Sequence, residues 1–133
     1  MIRILLAEDD RVMREYLTRA LERSGYAVSA VDRGTAAIPL LESEPFDLLL
    51  TDIHMPGMDG LEAARAIRAG EARMGKDRTP IVALTADALE GGKRNCRDAG
   101  MDGFLTKPVD PTELEEMFAA LFPGEDGSNI VAA

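Results

Sequence analysis

The sequence predicts an α/β fold in which one doubly wound, parallel five-stranded sheet carries helices on both faces. Three observations point to it. Short apolar runs alternate five times with segments of helical spacing, and such a succession of β-α units implies parallel strands joined by crossover helices. The central run, Leu48-Leu49-Leu50, is short, has no helical period and ends in Thr51-Asp52, as a strand buried on both faces should. A chain of 133 residues, 46% hydrophobic and 29% charged, is also enough for one compact domain with its own core.

Each element has its own signal. Ile2 to Ala7 is an apolar run cut off by Glu8-Asp9-Asp10, and predicts the first strand. Met13, Leu17, Ala20 and Leu21 recur at helical spacing until Ser24-Gly25, where glycine suits a left-handed cap. Val28 to Val31 is a weaker strand. Gly34 to Glu44 predicts a second helix, although Pro39 removes a backbone donor inside it and should kink it or delay its start. After the central strand, Leu61, Ala64 and Ile67 mark a third helix ending near Gly70, and the polar stretch from Glu71 to Thr79 reads as an exposed connection.

Pro80 opens a fourth strand, Ile81 to Leu84, ending at Thr85. The fourth helix, from about Asp87 to Ala99, contains Gly91-Gly92, each glycine costing about 1 kcal/mol against alanine, so it should be the least stable of the five. Gly103 to Thr106 is a short fifth strand stopped by Lys107-Pro108. Asp110-Pro111-Thr112-Glu113 is a helix-start signature, and Leu114, Met117, Phe118 and Leu121 give that last helix its buried face until Pro123-Gly124. The domain is expected to span residues 1–122, with 123–133 a short flexible tail.

Composition narrows the function classes. No apolar run approaches the length of a membrane span, and Met1-Ile2-Arg3 opens no signal-peptide pattern. A single cysteine, Cys96, allows no intrachain disulfide and agrees with a cytoplasmic location. With a net charge of -9, nonspecific nucleic-acid binding is disfavoured, because phosphates call for a basic patch.

In sheets of this kind, ligands bind beyond the carboxyl ends of the strands. Glu8-Asp9 follows the first strand, Asp52 the third, Thr85 the fourth and Lys107 the fifth, which brings all five side chains to one rim. Taken alone, Asp52, ahead of Met55-Pro56-Gly57 and Asp59-Gly60, reads either as a turn-capping residue or as a carboxylate held for chemistry. The company it keeps adds to the second reading. Three carboxylates in one pocket repel one another unless a cation neutralises them, and an all-oxygen set suits Mg²⁺ better than a soft metal. A carboxylate beside Mg²⁺ can attack a phosphoryl group, while a lysine ammonium and a threonine hydroxyl hold the other phosphoryl oxygens.

Glu8-Asp9, Asp52 with Met55-Pro56 and Asp59-Gly60, Thr85-Ala86, and Lys107-Pro108 together resemble the receiver domain of two-component response regulators, over Ile2 to about Phe122. The resemblance implies a flavodoxin-like (βα)5 fold with strand order 2-1-3-4-5. It implies a signalling switch rather than a turnover enzyme: Asp52 as phosphoacceptor, served by a histidine kinase or histidine phosphotransfer protein, with slow autodephosphorylation. Asp9 is similar to a direct Mg²⁺ ligand, Glu8 to one acting mainly through water, and His54 to one offering its backbone carbonyl. Thr85 and Lys107 are similar to the pair that contacts the phosphoryl oxygens, and Phe104 to the aromatic that moves with them. Asp10 reads as the cap of the first helix, and Asp59-Gly60 as a turn and cap. A downstream protein partner is expected on the face formed by the fourth helix, fifth strand and fifth helix. The length of Glu71 to Thr79 is similar to receivers fused to hybrid histidine kinases, so both a stand-alone regulator and a domain of a larger protein fit.

The same residues disfavour other classes. An aspartate-nucleophile phosphohydrolase similar to the haloacid dehalogenases needs a second aspartate two positions after Asp52, where this chain has His54. A nucleotide-binding domain needs a glycine-rich phosphate loop after the first strand, and none follows it. His54 as a phosphohistidine carrier is disfavoured by its proline-containing loop, and Cys96 has no second cysteine to resolve an oxidised sulfur.

Overall fold

A computed structural model describes residues 2–53, 59–85, 90–107 and 109–122, and of residues 90–93 and 111 the backbone alone. Its elements alternate strictly: β1 Arg3–Ala7, α1 Arg11–Arg23, β2 Ala27–Val31, α2 Gly34–Ser43, β3 Leu48–Asp52, α3 Gly60–Met74, β4 Ile81–Thr85, α4 Glu90–Asp98, β5 Gly103–Thr106 and α5 Pro111–Leu121. The strands form one sheet in the order β2-β1-β3-β4-β5, every pair parallel. This is the doubly wound α/β architecture that the sequence predicts.

Strand parity divides the core. Ile4, Leu6, Leu48, Leu50, Val82, Leu84 and Leu105 pack on one face with Leu17 and Leu21 of α1 and Leu114 and Phe118 of α5. Leu5, Ala7, Leu49, Ile81 and Ala83 pack on the other with Ala37 of α2, Ala64 and Ile67 of α3, and Cys96 of α4. Because β1, β3 and β4 are covered on both faces, their runs are apolar without alternation.

The helix ends follow their capping chemistry. Asp10 accepts the Met13 N–H at 3.0 Å, Asp59 the Glu62 N–H at 2.8 Å and Asp110 the Thr112 N–H at 2.8 Å, each satisfying an amide that the first turn leaves unbonded. α1 gives way to Gly25 at φ +94° and α3 to Gly75 at φ +66°, left-handed positions that glycine adopts without strain.

One expectation is corrected. α3 does not stop near Gly70 but continues to Met74, so the connection before β4 is shorter than predicted and Glu71 belongs to the helix. Tertiary bonds outweigh the glycine. The Arg68 guanidinium, 15% exposed, meets Glu71 at 2.7 Å and Asp102 at 2.8 Å, and donates to the carbonyls of Thr79 and Gly100 at 2.8 and 2.9 Å. Glu71 also accepts the Thr79 N–H, and Asp102 the Ile81 N–H. One side chain thus ties the last turns of α3 to the start of β4 and to the α4–β5 turn. α2 begins at Gly34 as expected, with no delay: Pro39 lies inside the helix, where its missing N–H removes the bond that the Thr35 carbonyl would accept. The predicted helix-stopping Pro123-Gly124, the tail 123–133 and the start of the fourth helix at Asp87 lie outside the described residues.

Candidate functional site

Ladder register brings the strand ends level. Ala7 pairs with Thr51, Asp52 with Leu84 and Thr85 with Thr106, so the residues that end or follow β1, β3, β4 and β5 share one rim. Glu8 is fully buried, Asp52 5% exposed and Thr85 3% exposed, whereas Asp9 is exposed. Carboxylate oxygens of Glu8, Asp9 and Asp52 lie within 4.8 Å of one another.

Lys107 sits among them. Its Nζ is 2.9 Å from Glu8 Oε1 and 3.0 Å from Asp52 Oδ2, and its backbone N–H donates to the Thr85 carbonyl at 2.8 Å, which fixes where the side chain begins. The contact with Glu8 is a charge contact without a well-directed hydrogen bond. Burial alone would lower the Lys107 ammonium's pKa, but Glu8 and Asp52 outweigh it and hold it above the usual lysine value.

Glu8 is the perturbed acid. Its carboxyl is raised to about 7, chiefly by burial and further by the Asp52 carboxylate, while Lys107 and the Asp10 N–H, donating to Oε2 at 3.2 Å, offset part of the rise. Between the ordinary 4.5 and about 7 the folded chain keeps a proton that the unfolded chain releases, so metal-free protein loses this contribution as pH rises through that window, by on the order of 3 kcal/mol. Denaturant melts of wild type and Glu8→Gln across the window test it: the mutant should gain on the wild type as pH rises, and parallel curves would refute the assignment.

The structure therefore brings together Glu8, Asp9, Asp52, Thr85 and Lys107, as the sequence predicts. Phe104 lies opposite Ala83 in the β4–β5 ladder and packs on the α2-α3-α4 face. By parity Thr85, two residues past Ala83, belongs to that same face. His54, with Met55-Pro56-Gly57, lies outside the described residues.

Two residues carry more than the sequence indicates. Gly60 is the first residue of α3, and its N–H donates to the Ile53 carbonyl at 2.8 Å; a Cβ there would lie 2.5 Å from the Asp52 carbonyl oxygen. Arg14 reaches back from α1 to the carbonyls of Glu8 and Asp9. An Asp-Gly pair hints at the first; no local signal marks the second.

Residues 4–119 match the family model of the response regulator receiver domain. The chain belongs to that family. Receiver domains are signalling switches of two-component systems, and its relatives occur in two contexts. It is 45% identical over 124 residues to the response regulator receiver protein CpdR of Brucella abortus, covering 90% of this chain and 99% of that one. It is 43% identical over 115 residues to the sensor protein GacS of Pseudomonas syringae pv. syringae, covering 86% of this chain but 13% of that protein. Among solved structures, the receiver domain of a Pseudomonas aeruginosa PAO1 sensor histidine kinase, with a magnesium ion in its active site cleft, superposes with a TM-score of 0.82 at 37% identity, over 92% of this chain and 98% of that one. No helix among the described residues is long and apolar enough to cross a membrane.

The receiver's own residues fit a hard divalent cation. The donors are carboxylate oxygens, which suit Mg²⁺, and Glu8 Oε1 is a fully buried acceptor whose neighbour Lys107 supplies charge without a directed bond.

Proposed function

We propose that this receiver domain takes a phosphoryl group from a histidine kinase or histidine phosphotransfer protein onto Asp52, in a Mg²⁺-dependent reaction, and that the modification switches its surface for a protein partner. The observation that carries the reading is the Asp52 carboxylate, held at the end of β3 within reach of two further carboxylates and paired to Lys107. An Asp52 oxygen attacks phosphorus; the P–N bond to the donor imidazole breaks, its electron pair leaving with the nitrogen, and an acyl phosphate forms. Glu8, Asp9 and Asp52, with the His54 backbone carbonyl, would hold the cation. Bound there, Mg²⁺ neutralises the carboxylates and the charge on the transferring oxygens.

Lys107 and Thr85 then contact the phosphoryl oxygens. A lysine already drawn to Asp52 by charge needs only a small shift to reach a group attached there. Movement of Thr85 vacates space for Phe104 on the same sheet face, which α4 covers, while α5 lies on the opposite face; the proposed switch surface is α4 and β5 together with α5, where activation biases a pre-existing equilibrium. Water attacking the same phosphorus slowly reverses the state. Residues 1–122 constitute the receiver unit, with 123–133 a tail beyond it, and the extent of the family match supports that boundary. A cytoplasmic location belongs to the same reading.

The test is incubation with a small phosphodonor and Mg²⁺, followed by intact mass, with hydrogen exchange on the labelled protein. One phosphoryl group per chain, absent with a chelator, is expected, together with altered exchange in α4 and β5. Labelling without Mg²⁺, or exchange changes confined to α1 and α2, would contradict the metal role or the output face respectively.

A further inference from the structure

Arg14 stands one turn into α1, half-buried, and no step above uses it. Its Nη1 donates to the Glu8 carbonyl at 2.9 Å and lies 3.4 Å from the Asp9 carbonyl. Among the described residues, its side-chain hydrogen bonds go to these two carbonyls and to none of the three carboxylates nearby. Ordinary charge pairing would favour a carboxylate, yet its directed bonds go to backbone oxygens and its charge reaches Asp32 only at longer range, so within this loop the guanidinium acts on geometry.

The loop it holds has a demanding task. Glu8 and Asp9 are consecutive, yet one carboxylate is fully buried and the other exposed. The two carbonyls that Arg14 engages belong to the peptide planes on either side of Asp9, and the first of these planes also follows Glu8. The rest of the loop is pinned as well: the Glu8 N–H donates to the Val31 carbonyl at 3.1 Å, the Arg14 N–H to the Asp10 carbonyl at 2.9 Å, and the Asp10 N–H to Glu8 Oε2. Arg14 closes this set from the helix side.

We propose that Arg14 is a positioning residue for the metal-binding loop, orienting Glu8 and Asp9 through their backbone rather than through charge. The inference rests on the reading of Glu8, Asp9 and Asp52 as a Mg²⁺ site. Position and charge predict opposite signs. As a positive charge beside a cation site, Arg14 opposes Mg²⁺, and its removal should tighten binding. As an orienting group behind the ligands, its removal should weaken binding by about tenfold, the range seen for such outer partners.

Calorimetric titration of Mg²⁺ into wild type, Arg14→Met and Arg14→Lys decides between them, with urea melts in chelator as a check on folding. Arg14→Met, of similar reach but without donors, is expected to bind about tenfold more weakly. Arg14→Lys keeps the charge but offers a point donor in place of a fork, and should bind with intermediate affinity. Equal or tighter binding by Arg14→Met would overturn the inference. Should that variant fail to fold, Arg14→Lys carries the test, since wild-type affinity there would equally overturn it. Failure of the wild type to bind Mg²⁺ would overturn the site reading itself, a distinguishable result.

Discussion

Asp52→Asn is expected to abolish phosphoryl labelling, leaving less than about a thousandth of the wild-type rate, because the amide keeps the shape of the carboxylate and loses its nucleophilic charge. The fold should survive. Asp52 pushes Glu8 up both by hydrogen bonding and by charge, so its neutralisation relieves a buried carboxylate pair while Lys107 keeps Glu8 as partner. Metal-free Asp52→Asn should therefore be unchanged or more stable by about 1 kcal/mol, which separates loss of chemistry from loss of structure. Intact mass after incubation with a phosphodonor and Mg²⁺, beside a urea melt, measures both. A labelled mutant would move the acceptor elsewhere, and an unfolded one would make Asp52 structural.

Gly60→Ala should damage the fold and the site together. Helix propensity favours alanine by up to about 1 kcal/mol, and Gly60 is not among the positive-φ glycines, so backbone conformation raises no objection. Space does. The added Cβ would stand 2.5 Å from the Asp52 carbonyl oxygen and 2.9 Å from Ile53 Cα, backbone atoms that cannot rotate aside. β3 and α3 must separate, at a cost of about 3 kcal/mol, and the displaced backbone is the one that carries Asp52. Gly70→Ala is the control: its nearest neighbours are side-chain ends at 3.9 Å, so it should be neutral or stabilising by up to about 1 kcal/mol. Urea melts of the two variants should diverge in opposite directions. Equal stabilities would refute the close-approach argument.

The residues of the candidate site were legible in the sequence because a parallel sheet converts sequence position into spatial position. Apolar runs mark strands, the first polar residue after each run marks a strand end, and all such ends lie on one edge. Glu8, Asp9, Asp52, Thr85 and Lys107 were readable from their places at or just past those strand ends, and capping by Asp10 and Asp110 from helix-start chemistry. The strand order came from family resemblance, since periodicity says nothing about which strands pair.

The succession of elements, the two-sided burial of the central strands and the membership of the rim are thus all written along the chain. The partners are settled by folding. α3 runs past Gly70 because Arg68 finds Asp102 and the Gly100 and Thr79 carbonyls, groups distant in sequence whose combined bonds exceed a local glycine penalty. Gly60 is required by a strand backbone that packing brings against it, and Arg14 has its role through two carbonyls exposed by the turn of the loop. Local propensities are written along the chain; ladder register and long-range hydrogen bonds emerge only when the faces close, and they determine which of two neighbouring acids is buried and which cation meets it.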